Sequence, residues 1–281
     1  MSNWSAITDQ IVQLIETEGQ LPWTKPWKIA APINAITGNS YRGINRLVLC
    51  TSGFSDPRFL TFRQARALGG TVTRGQRGIP VVFWQFNNQD EEITQDRPKH
   101  TAPLMRTYTI FNVEQCEGLD LPELAPRPEN LDVQAAVQNI LNDYLDRPTI
   151  SHAGEIACYI PNRDRIVMPP RSCFDNDESY VQVLAHELIH SSGSAKRLKR
   201  KGVVEMIRFG SETYGFEELI AEIGSAFLCA DHSIEVNIPR SAAYVQGWLN
   251  ALKNDKSMIV MAACKATKAV DYIQGPNVSA T

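Results

Sequence analysis

Long apolar runs are missing. No stretch of the 281 residues approaches 18 consecutive apolar side chains, which excludes a membrane-spanning helix. The first residues form no basic cluster and lead into no apolar segment, so no secretory signal is expected. Cysteine pairs of the C-x-x-C kind are absent. The six cysteines lie scattered, as expected of reduced thiols in a cytoplasmic protein with no membrane partner. Histidine is scarce, with five in the chain, so any two at a meaningful spacing carry weight. Net charge is only −3, which taken alone argues against a nucleic-acid binder.

That small net charge conceals an asymmetry. Residues 20–85 hold nine basic residues against a single acid, Asp56, for a net of +8, whereas 117–281 hold 16 basic and 22 acidic residues. A basic half joined to an acidic half fits two tasks, one of them on phosphate, and on charge alone it fits a solvated basic face equally well. Apolar and charged fractions of 43% and 21% are ordinary for globular chains, and the length suits two domains. The segmentation read from composition is 1–117, a Pro-rich acidic linker over 118–130, and 131–281.

Trp4, Ile7, Ile11, Leu14 and Ile15 sit at helical spacing, giving an opening helix over 3–18 that Gly19 and Pro22 end. Residues 20–60 read as aromatic-rich loop. Thr61 and Gln64 form a capping-box pattern before a short helix. Residues 79–86 and 104–113 read as strands around a polar loop at 87–100, and a helix is expected over 131–145. Residues 156–160 and 165–168 read as a hairpin, and helices are expected near 178–192, 213–230, 241–253 and 257–273. The fold class is therefore α+β: an N-terminal α+β domain with a small antiparallel sheet, then a mainly helical domain with a short hairpin.

The strongest motif is His186-Glu187-Leu188-Ile189-His190. On a helix, i and i+4 share a face, so two imidazoles can each bring a nitrogen to about 2.0–2.1 Å from one zinc. Glu187 between them acts as general base on the attacking water. Val181, Leu184, Leu188 and Ile189 supply a buried back, and Asp177 or Ser179 can cap the start. A third ligand must come from elsewhere: Glu218 and Glu222 share one helix face, while Glu217 points elsewhere and ranks third. Zinc is the expected metal, with manganese as the alternative. His152 and His232 read as structural or surface residues. Tyr214, one turn before Glu218, could face an oxyanion or simply pack.

The 217–222 segment is similar to the E-x-x-A-D/N helix of gluzincin-type peptidases. That resemblance makes Glu218 the ligand and Glu222 the residue that orients a ligand histidine.

In the basic segment, aromatics interleave with arginines and glycines, the mixture that single-strand binders use to stack bases and track phosphates. The runs Pro22-Trp23-x-x-Pro26-Trp27, Tyr41-Arg42-Gly43-Ile44-Asn45, Thr61-Phe62-x-Gln64-Ala65, Gly69-Gly70-x-Val72-x-Arg74-Gly75 and Thr109-Ile110-Phe111-Asn112-Val113-x-Gln115 carry a second resemblance. They resemble the N-terminal module of ArdC-type antirestriction proteins and of the related TraC-type plasmid primases. In the ArdC family that module precedes a zincin domain. The resemblance implies single-stranded DNA binding and protection of incoming conjugative DNA from host restriction. The zincin half is also similar to SprT-like proteases, although their third ligand is usually histidine. For DNA the favoured contacts are Arg42, Arg46, Arg74, Arg77, Trp23 and Tyr41. The alternative is a protease that DNA brings to its protein substrates. A plain peptidase fits the basic segment poorly. The basic run at 197–201 reads as an exposed loop or a second DNA contact.

Overall fold

The computed structural model describes residues 3–29, 31–85, 104–124, 132–205, 211–238 and 240–275. Helix α1 (Asn3–Glu18) places Ile7, Ile11 and Ile15 on one buried stripe. A 3-10 turn (Pro22–Thr24) and strand β1 (Ile33–Asn34) lead to α2 (Gly43–Cys50), every residue of which is buried. This helix lies in the stretch read from sequence as loop. Enclosed on all sides, it has no polar face, and its eight residues leave no period to detect. Its Asn45 clasps β4 (Ile79–Gln85): the amide donates to the Val82 carbonyl at 2.7 Å and accepts from the Val82 N–H at 2.8 Å.

Strand β2 (Arg58–Thr61) runs into α3 (Phe62–Ala67), whose Thr61–Gln64 capping box forms as expected. Strands β3 (Thr71–Val72) and β6 (Cys116–Glu117) pair separately, while β5 (Leu104–Asn112) completes a four-stranded sheet ordered β1-β2-β5-β4. Antiparallel pairing runs from Ile79↔Ile110 to Gln85↔Leu104, while the short β1 adds a parallel edge to β2. The expected loop at 87–100 and part of the expected linker lie outside the described residues. Residues 118–124 are tied back to the module, where Arg58 donates to the Pro122 carbonyl and the Asp120 N–H to Leu68.

Helix α4 (Val133–Asp143), capped by Asp132, precedes a three-stranded sheet ordered β7-β9-β8. The expected hairpin is β8 (Cys158–Ile160) with β9 (Arg165–Met168); β7 (Thr149–His152) pairs parallel to β9 on its other side. Then come α5 (Asp177–Ser192), the short α6 (Lys201–Val204), α7 (Glu212–Asp231), α8 (Ala242–Asn254) and α9 (Met258–Gln274). Gly224 lets α7 close on α5, since a Cβ there would sit 3.0 Å from the Ile189 side chain. None of the helices is long and apolar enough to cross a membrane among the described residues.

A single apolar core runs from Ile7 to Ile273 through both halves of the chain. Helix α9 packs on both α7 and α2. Arg46 of α2 reaches the end of α7, donating to the Phe227 carbonyl at 2.9 Å and to Asp231 at 2.7 Å.

Candidate metal centre and its cleft

Helix α5 begins at Asn176, whose side chain accepts the Ser179 N–H at 2.8 Å; Asn176, rather than Asp177 or Ser179, is the cap. Asp177 and Glu178 then complement the positive end of the helix. With Leu184, Ala185, Leu188 and Ile189 buried against the core, His186 and His190 are left facing α7. Glu218 meets them there. The three form a group whose ligand atoms all lie within 4.8 Å of one another. The His186 and His190 Nε2 atoms are 3.1 Å apart, and Glu218 oxygens lie 3.4 and 3.5 Å from them. A tetrahedral ion with bonds of about 2.0–2.1 Å has ligand–ligand edges of about 3.3 Å. The donor set therefore fits a zinc-sized cation, and Glu218 rather than Glu222 completes it.

Glu222 has a different role from the one expected. Its carboxylate accepts from Trp23 Nε1 at 2.8 Å, from Arg240 at 2.9 Å and from the Tyr244 hydroxyl. The carboxylate that meets a motif histidine is instead that of Glu217, whose Oε1 lies 3.3 Å from His190 Nδ1. Neighbouring helix positions point about 100° apart, so Glu217 and Glu218 reach opposite edges of the same imidazole. That leaves Nε2 of His190 free for the metal when Nδ1 carries the proton. Glu217 in turn is gripped by Arg200, with Nε at 3.0 Å and Nη2 at 2.7 Å, both side chains 5% exposed. Burial raises the Glu217 pKa, but His190 and Arg200 outweigh it and hold the carboxyl below the ordinary value. Burial works against charge on His190, yet Glu217 and Glu218 together push it up to about 10 in the metal-free protein. The same histidines hold the Glu218 carboxyl well below its usual range, against the cost of burial.

The basic run at 197–201 is thus only partly an exposed loop: Lys199 and Lys201 reach solvent, whereas Arg197 and Arg200 turn inward. Arg197 donates to both Asp164 oxygens, at 2.7 and 2.9 Å, and is buried beside Arg200. Gly202 permits this packing, because a Cβ would come within 2.5 Å of Glu217 Cβ. In the sequence Glu217 stands off the shared ligand face, and Arg197 and Arg200 belong to a basic run that reads as loop or DNA contact. The one available signal was two adjacent carboxylates on a core-like helix. His152, read as structural or surface, is exposed and meets the Tyr180 hydroxyl at 3.0 Å.

Two cavities of about 490 and 440 Å³ open on either side of the centre, and His186, Glu187 and Glu218 line both. They meet at Ala157, His186, Glu187 and Glu218, which both share. In the first, Trp23 and Thr24 of the N-terminal half make a wall with Arg240 and Tyr244; the Ile238 N–H donates to the Thr24 carbonyl at 3.0 Å. In the second, Tyr214 stands beside Glu218. Its hydroxyl bonds that carboxylate, and burial, then the Glu218 charge, raise its pKa to about 12.

Of the six side chains expected to meet DNA, three are internal. Trp23 is 1% exposed and committed to Glu222; Arg46 is 7% exposed and committed to α7; Tyr41 is 7% exposed. Arg42 reaches solvent but pairs with Asp271. Arg74 and Arg77 are exposed on the turn between β3 and β4.

Comparison with known proteins agrees with this anatomy. A family model described as the N-terminal domain of anti-restriction factor ArdC matches residues 2–111, and one described as a zincin-like metallopeptidase matches 137–265. An uncharacterized protein, y4eC, of Sinorhizobium fredii is 34% identical over 96% of this chain and 91% of its own length. A DNA primase TraC of Escherichia coli is also 34% identical over 95% of this chain, which spans only 19% of that primase. Crystal structures of the antirestriction ArdC protein from plasmid R388 are 35% identical and cover 98% of this chain and 97% of theirs. Their TM-scores are 0.74 for the metal-free form and 0.76 for the Mn(II)-bound form. With that identity extending over nearly the whole of both chains, this protein belongs to the ArdC family of antirestriction proteins, an ArdC N-terminal domain joined to a zincin-like metallopeptidase domain.

Proposed function

We propose that this chain protects incoming conjugative DNA from host restriction by binding it single-stranded without sequence preference, and that its cleft hydrolyses peptide bonds with zinc or manganese. The observation that carries the peptidase reading is the convergence of His186, His190 and Glu218 at tetrahedral spacing, with Glu187 beside them in an open cleft. A cation held by those three would polarise a carbonyl and acidify water. The Glu187 carboxylate accepts a proton from the attacking water and passes it to the amide nitrogen as the C–N bond breaks. Tyr214, kept protonated by its raised pKa, donates to the carbonyl oxygen as negative charge develops. Glu217 holds the proton on His190 Nδ1 and so fixes the ring. The DNA reading rests on the ArdC N-terminal match, the TraC likeness and the basic segment.

The wall that Trp23 gives the peptidase cleft favours the second reading, a protease directed to proteins on DNA. One experiment separates the two. Restriction protection in recipient cells is compared for wild type, Glu187→Gln and Arg74→Ala/Arg77→Ala. Protection that survives Glu187→Gln and fails without the arginines is the expected result; protection lost with Glu187 alone transfers the function to proteolysis.

A further inference from the structure

We propose that the exposed end of the β4–β5 ladder, beside α9, is the platform on which single-stranded DNA stacks its bases. The proposal rests on the DNA-binding reading above and gives it a location. Large aromatics on a sheet are normally covered, yet Phe83 is 46% and Tyr108 42% exposed. They share one face: Val81 pairs with Tyr108 and Phe83 with Arg106, and directly opposed residues of an antiparallel ladder project to the same side. The Phe83 and Tyr108 rings meet edge to face with centroids 5.6 Å apart, and Tyr41 lies 6.3 Å from Phe83 on its other side.

The exposed pair of rings, backed by the internal Tyr41, borders a groove of about 370 Å³ lined by Tyr41, Arg42, Phe83, Thr267 and Lys268. Its charge is complementary to a phosphate backbone. Arg106 flanks Phe83 in the ladder and Lys268 stands on the groove's far wall. Both are exposed, and neither has an ion-pair partner among the described residues. Arg42 is a third cation, steadied by Asp271. Among the described residues no acidic side chain lines the groove. Exposed flat rings interleaved with cations suit a strand whose bases are unpaired, because every base presents a π-face and every nucleotide a phosphate. A duplex hides those faces. Since Thr267 and Lys268 belong to α9, the peptidase half supplies one wall of the DNA site.

The test is fluorescence anisotropy of a labelled oligo(dT) of about 20 nucleotides, with the full chain and its substituted forms. Phe83→Ala and Tyr108→Ala should each weaken binding about tenfold, with the fold retained by circular dichroism and only a modest drop in melting temperature from the lost ring contact. Phe83→Trp should retain affinity, and its added emission should be quenched on binding. Lys268→Ala should lower the slope of log K against log salt by about 0.7. Wild type that does not bind the oligonucleotide would sink the DNA reading itself. Wild type that binds while both alanine variants match it within about twofold would overturn only the platform, as a face serving a protein partner would do.

Discussion

Replacing Glu217 by Gln tests the arrangement behind the metal site without touching a ligand. The amide has nearly the volume of the carboxylate, so no cavity opens; what disappears is the charge. In the wild type that charge accepts from Arg200 at 2.7 to 3.1 Å and faces His190 Nδ1 at 3.3 Å, with both Glu217 and Arg200 95% covered. Removing one member of a buried ion pair strands the other and costs about 3–5 kcal/mol. Loss of the group that orients a ligand histidine weakens metal binding about 10- to 100-fold. Urea unfolding with metal chelated measures the first effect, and competition against a metal indicator the second. Arg200→Met provides the contrast: it breaks the same pair but leaves a carboxylate facing His190, so stability falls comparably while metal affinity falls less. If Glu217→Gln matches wild type within about twofold in metal affinity, Glu217 is not the orienting residue and the assignment fails.

Two further outcomes follow from the same geometry. Because His190 is held near pKa 10 without metal, it is protonated at neutral pH and must shed that proton to coordinate. Metal uptake at pH 7 should therefore release about one proton from this residue, and affinity should rise about tenfold per pH unit towards 10; calorimetry in buffers of different ionisation enthalpy reads this directly, and zero release contradicts it. Trp23→Phe removes the Nε1 donor to Glu222 and should cost about 1.5–3 kcal/mol of stability. Metal affinity should stay unchanged while cleavage-site preference in a peptide library shifts; a shift in metal affinity instead would mean that the cleft wall and the metal centre are not separable.

What could be read from sequence was what one element decides by itself. His186 and His190 are brought together by the helical period alone, and Glu218 by the same period on α7. Thr61 and Gln64 cap locally, and β4 and β5 announce themselves by β-branched and aromatic residues. What escaped depends on a second element. Arg197 and Arg200 look solvated in a basic run, because the acids that bury them, Asp164 and Glu217, come from a turn and a helix elsewhere in the chain. Trp23 reads as a stacking platform until the fold supplies Glu222, 199 residues away. Strand β7 exists only through its parallel partner β9. Helix α2 is legible only once α9 is known to cover it. The orienting carboxylate was misplaced for a related reason: spacing identifies a face, but which edge of an imidazole meets which acid is set by how two helices cross.

The packing of α9 against α2 also constrains how such a chain can be inherited. The amide of Gly43 donates to Thr267 at 3.0 Å and the hydroxyl of Thr8 to the Lys256 carbonyl at 2.6 Å, so the last helix closes the core of the first residues. A recombination event between the halves would leave α2, α9 and the base of Arg46 facing water. Selection should therefore pass this stretch on undivided. The similarity to primase TraC, running through 95% of this chain inside a protein about five times longer, has the form that such an indivisible cassette would leave.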